Sequence, residues 1–201
     1  AAVIPNLPGL ADTLYMSFLG GLISVVLSFI LGFLAARNTA PHRAVSVVSR
    51  YSIAFIRSFP DLVFAIVLVA MFGIGPLAGT LALGIGGVGL LGKAYAEALE
   101  EIDMSQTEPL RAAGAGWFQI LGQAVWPQFK TSFAAWSLYR MDLNIRSASV
   151  VGLVGAGGLG YYLNSSMKLY QFGEASTIVL MVFALIMIVE SITGRIRKKL
   201  L

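Results

Sequence analysis

Five long hydrophobic blocks organise this sequence, at about residues 14–36, 45–72, 77–99, 129–154 and 176–192, separated by short polar or glycine-rich breaks. Blocks of this length match what a helix needs to cross the hydrocarbon core of a bilayer. The second block is interrupted by "RSFPD", where Pro60 is expected to kink or break it. The third is dense in glycine, at Gly84, Gly86, Gly87, Gly89 and Gly92, a pattern that lets membrane helices approach closely. The fourth carries several charges and leads into "VGAGGLG". Between blocks three and four lies "EPLRAAGAGWFQILGQAVWPQ", residues 108–128, a glutamine-dotted segment too polar to span. The pattern predicts an all-α integral membrane protein, a polytopic helical bundle of about five spans in one domain over residues 1–201.

Composition agrees. Hydrophobic residues make up 57% and charged residues 12%, about half the charge of a typical soluble domain. There are no cysteines, which excludes disulfides and thiol-ligated metal. The net charge of +4 reads as an orientation signal rather than nucleic-acid affinity. Arg37, Arg43, Arg111, Lys130, Arg195, Arg197, Lys198 and Lys199 cluster after span one, around the 108–128 segment and at the C-terminus. Alternation of five spans puts these clusters on one side, which the positive-inside bias makes cytoplasmic. The turn at 73–79 and the "GAGGLG" run then face outward.

Wound as one helix, residues 108–126 gather Leu110, Ala113, Trp117, Ile120, Leu121 and Ala124 on one face, with Arg111, Gln119 and Gln123 elsewhere. Such a helix either lies on the bilayer with Trp117 as anchor or docks on another protein. Gly114 and Gly116 favour docking. Each costs about 1 kcal/mol in a helix interior, which a close-packed foreign backbone would explain.

Charges inside the spans are costly and need a protein interior or a wet cavity. Arg57 and Asp61 flank Pro60; Arg140, Asp142, Asn144 and Arg146 lie in span four. Three readings stand: structural pairs (Arg57 with Asp61, Asp142 with Arg146, each four apart), a substrate path, or snorkelling to the interface. Three arginines against two aspartates leave one cation over, which favours an anion. Ser58, Ser137, Tyr139, Asn144 and Ser147 would add neutral donors.

"GAGGLG", residues 155–160, fits the letter of a dinucleotide loop but has no strand before it, so a buried re-entrant turn is the better reading. His42 reads as a solvated loop residue, and "EALEEID", residues 97–103, as the solvated end of span three. No catalytic or metal-spaced cluster stands out. A self-contained carrier would show internal repeats, and none is visible.

The 108–128 segment resembles the cytoplasmic signature of ABC importer permeases, with Glu108, Gly114 and Pro127 at the family spacing. Pro109 and Leu110 replace the two alanines after the Glu, and Ala124 and Trp126 depart from the Ile and Leu before the Pro. "SLYRMDLNIRSASVVGLVGAGGLGYYL", "FPDLVFAIVLVAMFGIGPLAG" and "GKAYAEALEEID" are similar to the phosphonate/phosphite-type branch. The resemblance implies a MetI-like (type I) permease in a bacterial inner membrane, with a coupling helix within 104–127. Glu108, Arg111, Ala112, Ala113, Gly114, Ala115, Trp117 and Pro127 would meet the ATPase. Arg57, Ser58, Asp61, Tyr139, Arg140, Asp142, Asn144, Arg146 and Ser147 would border the substrate path. Gly155, Gly157, Gly158 and Gly160 would form a gate turn. It also implies ABC ATPase subunits holding ATP and Mg, an extracytoplasmic binding protein and a second permease copy, as a homodimer, with no cofactor or ATP hydrolysis in this chain. The chain starts without Met, and the branch has a further N-terminal span, so such a span is expected before residue 1.

Overall fold

The computed structural model describes residues 7–200. Its helices are α1 (Leu7–Ala35), α2 (Arg43–Arg57), α3 (Asp61–Phe72), α4 (Pro76–Glu100), α5 (Glu108–Ala112), α6 (Trp117–Ile120), α7 (Trp126–Val151), α8 (Gly158–Lys168) and α9 (Phe172–Leu200). Helices α1, α4 and α9 are each long and apolar enough to cross a membrane, and α2 with α3 counts as one broken span bent by 83°. The 26 residues of α7 give about 39 Å, also enough to cross. Its charges keep it from reading as apolar.

The helices turn small and hydroxylated residues inward and large apolar ones outward, as lipid-facing bundles do. On α1 the buried stripe is Thr13, Ser17, Gly20, Ser24, Ser28 and Gly32, spaced three or four apart. Tyr15, Phe18, Leu22, Val26 and Ile30 of the same helix are exposed. Helix α1 lies along α4 in the most extensive pairing of the bundle. A Cβ on Gly20 would meet Leu83, and one on Gly32 would meet Tyr95. Ser24 Oγ sits 2.8 Å from the Gly20 carbonyl, 3.0 Å from that of Leu83 and 2.9 Å from that of Gly84.

The glycines of α4 each make room for something different. Gly84 faces Ile23 of α1, Gly86 the Asp61 carboxylate, Gly87 the Arg140 side chain, Gly89 the backbone of Arg57 and Gly92 Ile53. Pro60 ends α2 as expected, and the chain resumes along α4 as α3. At the basic end, aromatic packing of Phe29, Phe33, Trp126, Phe129 and Phe133 joins α1 to α7.

Two expectations fail in the 108–128 segment. It is not one helix: α5 ends at Ala112, and Ala113–Gly116 form a turn before α6. Nor does it close at Pro127. From Trp117 the helix runs without interruption into α7, through a wide turn at Leu121–Val125 in which the Trp126 N–H reaches the Leu121 carbonyl. Pro127 lacks an N–H and crowds the carbonyl four residues back. A single turn of wider pitch relieves that clash and lets the helix continue.

Candidate functional site: intramembrane charges, elbow and glycine turn

The charges of the fourth block do not form one cluster. Residues 140 and 144 lie one turn apart on the α7 face turned to α1 and α4; residues 142 and 146 lie on another face, toward α9.

On the inner face Arg140 is nearly fully buried, its side chain 5% exposed. Nη2 donates to the Leu83 carbonyl at 3.0 Å and to Asp61 Oδ2 at 3.2 Å. Arg140 therefore ties α7 to the first turn of α3 across α4. The expected partner of Asp61 was Arg57. The break at Ser58–Pro60 destroys the four-residue helical spacing and turns Asp61 inward, while Arg57 stays exposed. One turn on, Asn144 Nδ2 donates to the Ser17 carbonyl at 3.1 Å. Because Gly87 makes the room for Arg140, Gly87→Ala is expected to cost roughly 1–3 kcal/mol through overpacking. Gly194→Ala, in a helix with open space around it, is expected to be neutral or stabilising. Thermal melting of the purified variants reads the difference.

On the outer face Arg146 Nη2 lies 3.1 Å from Asp142 Oδ2, as expected, and also 3.1 Å from Glu190 Oε2 of α9. Sequence reasoning missed Glu190, which sits inside the last apolar block and carried no pairing signal there. It corrects the charge count to three arginines and three carboxylates, with Asp142 and Glu190 sharing Arg146. Tyr139, Thr193 and Arg197 line the same cavity, about 350 Å³. Ser147 is half-buried and belongs to neither group.

Arg57 is the arginine of the three with no carboxylate within 4.0 Å among the described residues. With Ser58 it borders a cavity of about 460 Å³ between α2 and α4, together with Arg50, Lys93 and Glu97. Lys93 pairs with Glu97 at 3.3 Å.

The 108–128 segment forms an elbow. The Ala115 N–H bonds the Leu110 carbonyl at 2.9 Å and the Gly114 N–H that of Arg111 at 3.0 Å, the paired bonds of a glycine-terminated helix end. Gly114 has φ +78°, and a Cβ there would meet nothing within 4 Å. Within this chain its role is conformational: the left-handed backbone there is one that L side chains rarely adopt. Gly116 starts α6, where its N–H donates to Gln119 Oε1 at 2.8 Å. Trp117 Nε1 donates to the Thr39 carbonyl at 3.3 Å, anchoring the elbow to the α1–α2 loop. Glu108, Arg111, Ala112, Ala113 and Pro127 are exposed, and Ala115 is half-buried.

The "GAGGLG" run is a buried turn between α7 and α8. Gly155, Gly157 and Gly158 take φ of +95°, +88° and +69°, conformations L side chains rarely adopt. The Gly155 carbonyl accepts from the Gly75 N–H at 3.1 Å, and the Leu159 N–H donates to Thr13 Oγ1 at 2.8 Å. Gly160 packs on Gly152 and Ser149. Helices flank this turn on both sides, so the dinucleotide reading is excluded.

Residues 28–201 match the family model described as "Binding-protein-dependent transport system inner membrane component". The phosphite transport system permease protein PtxC of Stutzerimonas stutzeri is 44% identical over 94% of this chain and 69% of its own length. The phosphate-import permease protein PhnE of Mycolicibacterium smegmatis is 41% identical over 94% of this chain and 36% of its own. Among solved structures, an inward-facing form of the MetNI methionine ABC transporter superposes with a TM-score of 0.83 at 20% identity, covering 98% of this chain and 96% of that one. An amino acid ABC transporter structure gives 0.77 at 17%, covering 96% and 92%. These two show a shared fold.

Proposed function

This chain belongs to the family of binding-protein-dependent transport system inner membrane components, and from that premise we propose that it is the permease subunit of an ATP-driven importer for a small phosphorus oxyanion, phosphite or a phosphonate first. The substrate reading is carried by the relatives named for phosphite and phosphate transport, 44% and 41% identical over 94% of this chain. The unpaired Arg57 beside Ser58, at the break in the second span, supports it: a planar guanidinium suits phosphorus oxyanions. Arg140, Asp61 and Asn144 brace the bundle. The path is bordered instead by Arg57 and Ser58 and by the Tyr139, Asp142 and Arg146 face. The turn at Gly155–Gly160 serves as gate.

ATP and Mg reside on separate ATPase subunits, an extracytoplasmic binding protein delivers the anion, and a second permease copy completes the pathway in the bacterial inner membrane. The elbow at 104–127 meets the ATPase. Because α6 and α7 are one helical run, a push there passes directly into the helix that holds Arg140 and Arg146.

The complete transporter in proteoliposomes, with its binding protein, tests the reading. ATP-dependent uptake is expected for phosphite, phosphonate or phosphate and not for methionine. Uptake of the amino acid and of none of the phosphorus anions would overturn it. Arg57→Gln is expected to slow uptake about fivefold, the worth of one partly screened charge contact of ~1 kcal/mol, with folding intact.

A further inference from the structure

At the basic end of the bundle, the α1–α2 loop and the first two turns of α2 enclose a cavity of about 620 Å³. Arg37, His42, Arg43, Ser46, Val47 and Arg50 line it. Arg50 is committed: it pairs with Glu100, and its Nε donates to the Ala35 carbonyl at 2.9 Å. Ser46 Oγ donates to the same carbonyl at 2.6 Å. Arg37 and Arg43 have no carboxylate within 4.0 Å among the described residues, and both are exposed. Two guanidinium groups thus line one concave space, and the nearby Glu100 carboxylate is taken by Arg50 and by the Arg37 backbone N–H.

We propose that this cavity binds the phosphate headgroup of an anionic phospholipid of the cytoplasmic leaflet, and that the bound lipid steadies the loop on which the coupling elbow is anchored. Three observations converge. The cavity lies at the end of the spans that the basic residues orient to the cytoplasm, where anionic headgroups gather and basic pockets retain them. It is continuous with an apolar track: Val47 lines it, and Val48, Tyr51 and Phe55 follow on the same helix, all at least 50% exposed. A free oxyanion has no use for that track, whereas acyl chains lie along it. Finally, the loop closing the cavity presents the Thr39 carbonyl that accepts the Trp117 indole N–H. Thr39 itself is buried, with Oγ1 donating to the Phe33 carbonyl at 2.8 Å. A headgroup bridging Arg37 and Arg43 spans this loop from end to end and resists its movement when the elbow is pushed. The inference is independent of which solute is carried.

The test uses the complete transporter in nanodiscs of phosphatidylcholine, with and without phosphatidylglycerol. Wild type is expected to retain phosphatidylglycerol in native mass spectrometry, and to couple ATP hydrolysis to uptake more tightly when that lipid is present. Arg37→Gln/Arg43→Gln is expected to weaken retention roughly ten- to thirtyfold, the effect of two basic side chains beside an anionic headgroup, and to erase the gain in coupling. Neither side chain has a carboxylate within 4.0 Å among the described residues, so melting in phosphatidylcholine is expected to change little. Lys130→Gln, a basic residue on the same side outside the cavity, is expected to behave as wild type. Three outcomes would overturn the proposal: equal retention in the double variant, an equal loss in Lys130→Gln, or the same gain from inorganic phosphate in phosphatidylcholine alone, which would make the cavity a free-phosphate site.

Discussion

Asp61→Ala is expected to lower the melting midpoint of the subunit sharply, by more than Gly87→Ala does. The substitution leaves Arg140 5% exposed with its carboxylate gone, and stranding one member of a buried ion pair costs about 3–5 kcal/mol. A whole domain is held by roughly 5–15 kcal/mol. Arg140→Ala strands Asp61 less severely, because that side chain is 22% exposed, but it also opens a void against Gly87. The double change Asp61→Leu/Arg140→Met replaces the pair with apolar groups and is expected to recover most of the loss, since desolvation of the charges is no longer required. Melting midpoints and monodispersity in detergent read all three. An Asp61→Ala protein that melts with wild type would refute the brace. Transport by the double variant adds a second reading: near-normal uptake makes the pair structural, and loss of uptake in a well-folded double variant returns both residues to the path.

That pair also shows where sequence stops being sufficient. The five blocks, the break at Pro60 and the glycine-dense α4 were legible, because each follows from hydropathy, ring geometry or the missing Cβ. The pairing of Asp61 was not. Spacing of four residues supports an ion pair only along an unbroken helix, and the proline that predicts the break also cancels the spacing. Asp142 and Arg146 sit on an unbroken helix, and there the rule held. Glu190 escaped notice for a different reason. One carboxylate in an apolar block announces no partner, and its contact with Arg146 depends on how α9 is packed against α7. The small-residue stripe of α1 could have been found: Gly20, Ser24, Ser28 and Gly32 repeat every four residues. It is masked by the large apolar residues between them, which face away from the core in this bundle.

Gly114→Asn is expected to keep coupled uptake close to wild type, whereas Gly114→Ala lowers it several-fold and Gly114→Trp abolishes it while ATP hydrolysis continues. The sequence admits one explanation for glycine here, close approach of another backbone. The structure supplies another, a left-handed φ of +78° with open space around the Cα, and the two rank substitutions differently. Close approach tolerates Ala best, because bulk is what matters. A left-handed helix end tolerates Asn best, because its side chain suits that conformation while Ala pays about 1–2 kcal/mol of strain. Helix α5 has only five residues, and the two hydrogen bonds at Gly114 close its end. A strain of that size is therefore enough to unwind the elbow in a large share of molecules. Unwinding leaves α6 and α7 intact, so the subunit still inserts and assembles, but a push on the elbow is absorbed before it reaches the helix run that begins at Trp117. Trp at 114 adds bulk on an exposed turn that the ATPase is proposed to cover. Parallel measurement of uptake and hydrolysis in the reconstituted transporter separates loss of coupling from loss of assembly. A ranking with Ala above Asn would show that crowding by the partner, and not backbone conformation, is what requires glycine at this position.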